Sequence, residues 1–436
     1  MTLLVISPDY ASHLLPLATL ATAWRDAGER VVVASGPATA AITADFGFAR
    51  TELRLGRGSN PGVIRAQEQV AGEDDALRGF FAATERGMVP TLQYQADARR
   101  ADLLWDPVAT ARRVLAVVDQ VRPDHVIVDH LAFSARLALL AGGVPHADVV
   151  LGHPTALPVG DEVYGYPPAW PSVFSPDPED LAALHRRCRE VRDGFTAEWN
   201  AALAELAPQA PASVDAFTEH AGQVLLNYPA ALHDPARTAL LPAHAFLGSA
   251  VRAQPTPPDI ADWLAADPSR PLVYVSFGSF LSVRADVLAR IAQALAPLPV
   301  RVALAVGSAD RAVLGELPAH WLVREFLPQV ALLEHAAVTV THGGNNSVTE
   351  ALTAGVPMLV LPFSTDQFAG AAAIVDAGVG IALDPNRASP AELAAALAEL
   401  LDGDQARVAA DLGAGLRERP GRQIAWQALA SAATWS

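Results

Sequence analysis

The sequence contains a glycine-rich corner with the chemistry of a phosphate site. The segment THGGNNSVTEALTAGVP, residues 341–357, follows the apolar run AAVTV and opens a helical pattern. Its two adjacent glycines let the backbone approach a ligand, and the first helical turn points free amide N–H groups at the same place. His342 can donate a hydrogen bond to phosphate oxygens, and Asn346 and Ser347 follow as short polar side chains. These residues predict that a diphosphate binds here.

A second polar pair follows the next apolar run. Asp366 and Gln367 in LPFSTDQFAG could together hydrogen-bond adjacent hydroxyl groups of a sugar. Both segments also allow a simpler interpretation, because Ser347 and Glu350 have the spacing of a capping box. Ser364 and Gln367 have the same spacing. Ligands bind at the carboxyl ends of strands in open α/β sheets, so two such segments after successive predicted strands favour a ligand site.

His13 and Asp129 could form an acid–base pair in the first half of the chain. His13 lies in the predicted turn between the first strand and the first helix, three residues before Pro16. An imidazole with an ordinary pKa near 6.5 can take a proton from an attacking group, which contributes about 10²- to 10⁴-fold to a rate. Such a base needs a carboxylate that orients it. Asp129 follows a predicted strand; it could instead cap the next helix, and His130 and Asp124 compete with it.

The elements that must position these residues alternate regularly. Short β-branched runs are separated by longer helical patterns, which predicts parallel sheets with helices on their faces. The predicted strands are 3–6, 31–34, 125–128, 144–150 and 224–227 in the first half, and 272–276, 301–306, 338–341, 358–361 and 380–383 in the second. The predicted helices of the first half are 14–26, 109–121, 131–141 and 179–206. The expected fold class is α/β, with two doubly wound parallel sheets.

A proline-rich segment separates the two halves. SAVRAQPTPPD, residues 249–259, contains three prolines and suits a semi-rigid linker. The sequence thus predicts a first domain over 1–248, a second domain over 260–420, and a C-terminal helix over 421–436 that packs back on the first domain. The charged segment 54–106 is expected to form loops and helices over one face of the first domain.

The composition of the 436-residue chain points to small-molecule partners. Lys and Arg number 31 against 47 Asp and Glu, a formal net charge of −16, whereas nucleic acids and anionic membranes require a basic surface. The single cysteine, Cys188, cannot close an internal disulfide, and no apolar stretch of about 20 residues could cross a bilayer. We therefore expect a soluble, cytoplasmic protein, monomeric or homodimeric, with no nucleic acid partner and no membrane span.

Four segments together resemble the nucleotide-sugar-dependent glycosyltransferases of plant secondary metabolism, mammalian glucuronosyl transfer and bacterial antibiotic biosynthesis. They are VSFGSF at 275–280, FLPQ at 326–329, HGGNNSVTEA at 342–351 with Gly-Val-Pro after it, and the Asp366-Gln367 pair. The resemblance implies the GT-B fold, in which two Rossmann-like domains face a cleft. The N-terminal domain would bind the acceptor and the C-terminal domain the nucleotide sugar.

The resemblance assigns these residues places around the donor. It implies that Phe326 stacks on the base of the nucleotide, that the Leu327 backbone pairs with the edge of the base, and that Gln329 and Glu350 hold the ribose hydroxyls. The diphosphate would bind to Ser279, His342, Ser347 and the amides of Gly343 and Gly344. The sugar would contact Asn346, Asp366 and Gln367. A carboxylate for two ribose hydroxyls favours UDP over dTDP. The resemblance also implies that His13 is the general base and Asp129 its orienting carboxylate, with Ser12 where relatives carry glycine.

The implied activity is an inverting transfer of a sugar from a UDP-sugar to a hydroxyl or amine of a small natural-product metabolite. No Asp-x-Asp metal pattern follows a strand at either nucleotide-binding position, so we expect neither a metal nor a cofactor beyond the co-substrate. His342 and backbone amides would stabilise the leaving UDP instead. Two alternatives are a nucleotide-sugar epimerase or hydrolase on the same fold, and a non-catalytic glycosyltransferase-like auxiliary protein.

Overall fold

The chain folds into two α/β domains. The computed structural model describes residues 1–60, 73–99, 103–281, 284–307, 309 and 311–431. Within them the strands are β1 Thr2–Ile6, β2 Arg30–Ser35, β3 Ala49–Glu52, β4 His125–Asp129, β5 Ala147–Val150, β6 Gln223–Leu226, β7 His244–Phe246, β8 Leu272–Ser276, β9 Arg301–Ala305, β10 Leu322–Arg324, β11 Ala336–Thr341, β12 Met358–Val360 and β13 Gly380–Ala382. The helices are α1 Ala11–Asp26, α2 Ala40–Asp45, α3 Glu73–Arg86, α4 Met88–Arg99, α5 Pro107–Val121, α6 Phe133–Ala141, α7 Pro178–Leu206, α8 Pro235–Thr238, α9 Pro258–Ala266, α10 Gly278–Leu281, α11 Ala285–Leu295, α12 Gln329–Leu333, α13 Asn345–Ala354, α14 Gln367–Asp376, α15 Pro390–Asp402, α16 Gln405–Glu418 and α17 Gly421–Ser431.

Each domain is built on one parallel sheet. The first sheet has the order β3-β2-β1-β4-β5-β6-β7 and the second the order β10-β9-β8-β11-β12-β13, and every strand pair within them is parallel. The winding reverses at β1 in one sheet and at β8 in the other, and a crevice opens at the carboxyl ends of the strands at such a switch point. The expected pair of doubly wound sheets is confirmed.

Three edge strands lie outside the predicted set, and one predicted strand is shorter than expected. The three, β3, β7 and β10, are three or four residues long and carry no continuous buried run, so their sequence gives little strand signal. The predicted strand 144–150 begins only at Ala147. Val144 instead closes the end of α6, because its N–H donates to the carbonyl of Leu139 in that helix. The chain can turn back in this way because Gly143 has a φ of +62°.

Helix α1 starts at Ala11, earlier than predicted, so His13 lies in its first turn and not in the preceding loop. The prediction that His13 lies in a turn is wrong, because the predicted helix 14–26 starts three residues too late. Pro16 lies inside the helix, where its fixed φ is compatible but its missing N–H leaves one carbonyl without an intrahelical partner. That carbonyl belongs to Ser12, and its partner comes from the other domain.

The linker and the C-terminal helix both dock onto the body of the protein. In the linker, the Gln254 side-chain oxygen accepts from Val330 N at 3.0 Å. Helix α17 lies against α1, where the rings of Trp24 and Trp426 meet edge to face with centroids 5.0 Å apart and Arg422 pairs with Asp26. The second domain is therefore followed by a helix that returns to the first. None of the helices in the described part of the chain is both long and apolar enough to span a membrane.

The close packing at the start of α17 can be tested at Gly421. A Cβ there would collide with the backbone carbonyl oxygens of Leu247 and Ser249. We expect Gly421→Ala to destabilise the protein by about 1–3 kcal/mol, measured as a lower midpoint of urea unfolding. The control is Gly194→Ala in α7, where a Cβ meets no atom within 4 Å, and this change should be neutral or stabilise by up to about 1 kcal/mol. Equal destabilisation by both substitutions would contradict the packing described.

Candidate functional site

A cavity of about 500 Å³ lies between the carboxyl ends of the two sheets. The first domain lines it with His13 near the start of α1 and with the loops that follow β4 and β5. The second domain lines it with Gly278, with the start of α13 and with Asp366. A smaller cavity of about 200 Å³ adjoins it and shares Ser12, Gly278, Asn346 and Ser347 with it as lining residues. The two cavities together form a continuous candidate site across the domain boundary.

His13 and Asp129 form the predicted pair at the first-domain wall of the cavity. The Asp129 Oδ2 atom lies 2.6 Å from His13 Nδ1, and its Oδ1 atom accepts from Leu131 N at 2.8 Å. The carboxylate side chain is 1% exposed and the imidazole 26% exposed, so only the histidine reaches solvent. Because β1 and β4 are adjacent in the sheet, residues just beyond their carboxyl ends can meet although the chain between them is long.

The carboxylate also sets the charge of the imidazole. Burial lowers the pKa of His13, but the charge and hydrogen bond of Asp129, with a further contribution from the charge of Asp366, outweigh it and raise that pKa above its ordinary value. Since Asp129 accepts at Nδ1, the neutral imidazole carries its proton there and keeps a lone pair on Nε2. That nitrogen can act as a base toward a group in the cavity. The competitors His130 and Asp124 are engaged elsewhere, with the Ala156 carbonyl and the Thr2 amide respectively.

Asn346 bridges the two domains at the start of α1. Its Nδ2 donates to the Ser12 carbonyl at 2.8 Å, which is the acceptor that Pro16 leaves open. The neighbouring Asn345 donates through one Nδ2 to the carbonyls of Leu151 at 2.7 Å and Asn227 at 2.8 Å. Both asparagines therefore hold the glycine-rich corner against the first domain, while Asn346 also lines both cavities.

The glycine-rich corner encloses His342. Gly343 has a φ of +84°, and a Cβ on it would lie 2.9 Å from Val360, while a Cβ on Gly278 would lie 3.2 Å from the His342 ring. Burial lowers the pKa of His342 to about 4, so the ring is neutral. Within the described residues its Nδ1 is buried without a hydrogen-bond partner. An unpaired lone pair there costs less than an unpaired N–H, so the proton belongs on Nε2, where it can be donated to a ligand.

The capping-box interpretation of Ser347 and Glu350 is wrong. Gly344 is the N-cap of α13, so Ser347 is the third helical residue, and its hydroxyl oxygen faces Gln329 Nε2 at 3.4 Å. Glu350 accepts from that same Gln329 nitrogen at 2.6 Å and from Arg252 in the linker at 3.0 Å. Burial raises the pKa of Glu350, opposed by Arg252 and by the Gln329 hydrogen bond. The amides at the helix start are left without a side-chain cap.

The smaller cavity is lined by an exposed aromatic ring and by a polar pair of side chains. Phe326 lines it with 63% of its surface exposed, whereas Leu327 beside it is buried. Gln329 and Glu350 line the same cavity, as does Arg252. The structure thus brings together the residues predicted for the base and the ribose. Ser279, predicted for the diphosphate, has its side chain outside the described part of the structure.

Asp366 and Gln367 occupy different environments although they are adjacent. Asp366 lines the larger cavity, where its Oδ2 accepts from His153 N of the first domain at 2.6 Å and its Oδ1 from the Thr365 hydroxyl at 2.8 Å. Thr365 has a φ of +50°, a strained value for a β-branched residue and one found at ligand sites. Gln367 is buried and bonds within its own loop: its Oε1 accepts from Phe363 N and Ser364 N. Only half of the capping-box pattern is present, because α14 begins at Gln367 with Asp366 as its N-cap.

Three residues of the site carried no signal in the sequence. Arg252 belongs to the linker, and only the return of that segment over the second domain brings it to Glu350. Asn345 and Thr365 lie inside the segments that the motifs identified. The Asn345 side chain and the Thr365 amide bond to residues of the first domain, and Thr365 has a positive φ. A spacing pattern reports neighbours along the chain, so it could not have identified these contacts.

Comparisons with known proteins agree with this geometry. The family model described as "UDP-glucoronosyl and UDP-glucosyl transferase" matches residues 187–410, just over half of the chain. Over 171 residues the chain is 35% identical to a PGL/p-HBAD biosynthesis glycosyltransferase of Mycobacterium tuberculosis (strain ATCC 25177 / H37Ra), which is 39% of each chain. Over 160 residues it is 31% identical to demethyllactenocin mycarosyltransferase of Streptomyces fradiae, covering 36% of this chain and 35% of the relative. The matches thus span well under half the length of these relatives.

Solved structures cover the whole fold. The glycosyltransferase VinC in complex with DTDP aligns with a TM-score of 0.69 and 21% identity over 100% of both chains. The glycotransferase of kitacinnamycin aligns with a TM-score of 0.65 and 22% identity over 97% of both. These likenesses confirm the expected GT-B fold, and the family model matches the half of the chain that carries the glycine-rich corner. The chain therefore belongs to the UDP-glucoronosyl and UDP-glucosyl transferase family.

Proposed function

We propose that the protein is a glycosyltransferase that moves a sugar from UDP to a hydroxyl or amine of a small natural-product metabolite, with inversion at the anomeric carbon. One observation carries the proposal: the His13–Asp129 pair faces the start of α13 and His342 across the same cavity. A base on one wall and phosphate donors on the other are what a displacement at a sugar carbon requires. The names of the relatives, which include mycarosyltransferase and anthocyanidin 3-O-glucosyltransferase, agree with this reaction class.

The donor would lie along the second domain. Its base would stack on the exposed Phe326, and the ribose hydroxyls would bond to Glu350. The diphosphate would meet His342 and the uncapped amides of α13, where the helix dipole favours negative charge. The sugar would then reach Asp366 in the larger cavity. Two of the similar solved structures are complexes with DTDP or thymidine diphosphate, so dTDP is the second candidate nucleotide.

The transfer follows from these positions. The acceptor hydroxyl gives its proton to His13 Nε2 while its oxygen attacks the anomeric carbon. The bond from that carbon to the phosphate oxygen breaks, and its electron pair leaves with UDP. Asp129 stabilises the imidazolium that forms, because its carboxylate remains at Nδ1. Attack from the side opposite to the diphosphate inverts the anomeric configuration, so an α-linked donor gives a β-linked product.

The leaving diphosphate would be stabilised by groups that the chain itself provides. The neutral His342 donates from Nε2, and the amides at the start of α13 add further donors that need no reorganisation. An epimerase or hydrolase on the same fold would use this donor site alone, without a separate acceptor. Product analysis with and without an acceptor distinguishes these activities, and a non-catalytic auxiliary protein would give no product in either case.

The base role predicts a specific pH dependence. With UDP-glucose and a phenolic acceptor selected by screening, His13→Ala should lower kcat by about 10²- to 10⁴-fold. Because Asp129 raises the pKa of His13, the acidic limb of kcat/KM should lie above the ordinary histidine value, and Asp129→Asn should move that limb to lower pH as well as slow the reaction. The control is His335→Ala at an exposed position. Near wild-type turnover by His13→Ala would reject the assignment.

The ribose contact predicts a preference between two nucleotides that differ by one hydroxyl. We expect UDP to bind about 10-fold or more tightly than dUDP, since a hydrogen bond to a buried carboxylate is strong. Glu350→Gln should shrink that difference to a few fold, measured by isothermal titration calorimetry. Glu334→Gln, an exposed change in the same domain, should leave it intact. Equal affinities for UDP and dUDP in the unmodified protein would contradict a ribose contact at Glu350.

The hydrogen-bond donors proposed for the diphosphate also predict how the reaction responds to a metal chelator. Because His342 and the amides of α13 would carry the diphosphate charge, we expect transfer to continue at a similar rate in excess EDTA. His342→Ala should instead lower kcat by about 10²-fold, the scale of losing one donor to a developing anion. Initial rates with and without EDTA check this. Activity that disappears with EDTA and returns with Mg²⁺ would overturn the proposal for the leaving group.

A further inference from the structure

The first-domain end of the larger cavity contains a cation that the proposed transfer does not use. Arg99, at the end of α4, lines this cavity together with Tyr164, Gly165 and Tyr166. Its guanidinium carbon lies 5.1 Å from the centroid of the Tyr164 ring. Gly165 has a φ of +87°, and a Cβ there would lie 3.1 Å from Arg99 Nη1. A side chain at this position would crowd the guanidinium, so the loop approaches Arg99 closely where the residue is glycine.

The ring beneath Arg99 is fixed from its other side. Tyr164 stacks on Phe217 with centroids 4.0 Å apart and an interplanar angle of 5°, and it meets Phe133 edge to face. Tyr164 is buried, and all three rings belong to one apolar cluster with α7. The guanidinium thus lies over a ring that other aromatic side chains pack in place. A planar guanidinium that is already held in place loses less conformational entropy when it binds a carboxylate or phosphate.

The charge of Arg99 has no counter-ion among the residues that the structure describes. Across the described residues, its guanidinium forms neither a hydrogen bond nor an ion pair. Cys188 lies nearby, but burial raises the pKa of its thiol to about 11, so it carries no negative charge. The carboxylates near the cavity are already engaged: Asp129 with His13 and Leu131, and Asp366 with the second-domain loop and His153. A half-buried cation without a partner is costly, which indicates that a ligand supplies the anion.

We propose that Arg99 binds an anionic group of the acceptor, so that the acceptor is an aromatic hydroxy compound carrying a carboxylate. This rests on the proposed function and names the substrate class of the same site. The carboxylate accepts two parallel hydrogen bonds from the guanidinium, the pairing for which the fork is shaped. The aromatic ring would pack against Leu131, Tyr166 and Pro167, which line the same cavity as Arg99 and His13. The hydroxyl at the other end of the acceptor then reaches the base.

The test compares three probes of one shape: 6-hydroxy-2-naphthoate, its methyl ester, and 2-naphthol. Dissociation constants are measured by calorimetry on the full chain with UDP at saturation. We expect the carboxylate to bind at least about 10-fold more tightly than the ester or the naphthol. In Arg99→Gln that preference should fall to about twofold or less, and in Arg99→Lys it should be intermediate because the charge remains but the fork is lost. The affinity for UDP should be unchanged in both variants.

The matched control is Arg113→Gln. Arg113 also stacks on an aromatic ring, with its guanidinium carbon 5.4 Å from the Trp105 centroid, but it does not line the cavity. Its loss should leave the carboxylate preference intact, and thermal unfolding of each variant checks that it folds. No carboxylate preference in the unmodified protein, or the same preference in Arg99→Gln, would overturn the proposal. Weaker UDP binding in Arg99→Gln would overturn it too, since Arg99 would then serve the donor. If the preference depends on Arg99 but no sugar is transferred, the anion site stands and the proposed function fails.

Discussion

Hydrogen bonds across the cleft, donated by the start of α13, hold the two halves of the site together. Asn345 donates to the carbonyls of Leu151 and Asn227, which lie just beyond the ends of β5 and β6. A strand end leaves such carbonyls outside the ladder, and a side-chain amide has two N–H groups with which to satisfy them. Asn346 does the same for Ser12. The glycine-rich corner is therefore attached directly to the segment that carries His13.

A proline makes the second of these contacts possible. An uninterrupted helix would use the Ser12 carbonyl for its own hydrogen bond, and Pro16 removes the donor that would take it. The helix keeps its path while one carbonyl in its first turn becomes available to the other domain. His13 lies one residue further along the same turn, so its imidazole and the domain contact share one piece of backbone. The contact between the domains therefore helps to position the imidazole.

Much of the fold and part of the site could be predicted because their signals are local. The β-branched runs of the sheet interiors gave strands close to those observed, and the glycine-rich corner lies where the pattern put it. The short edge strands β3, β7 and β10 gave no such signal, since they are partly exposed and depend on their neighbours. Capping-box spacing was misleading at Glu350, whose carboxylate is drawn away by Gln329 and Arg252. At Gln367 half of that pattern is present, since its side-chain oxygen accepts from Ser364 N although Asp366 is the N-cap of α14.

The sequence by itself determined the two parallel sheets and the helix that starts after paired glycines. These follow from periodicity and backbone freedom, which act over a few residues. Only the tertiary structure decided which groups meet: Asp129 lies 116 residues from His13, and Arg252 lies 98 residues from Glu350. Asn345 is 194 residues from the Leu151 carbonyl it binds. Such pairs form because parallel strands bring distant chain segments to one edge, and no local pattern encodes which segments will be adjacent there.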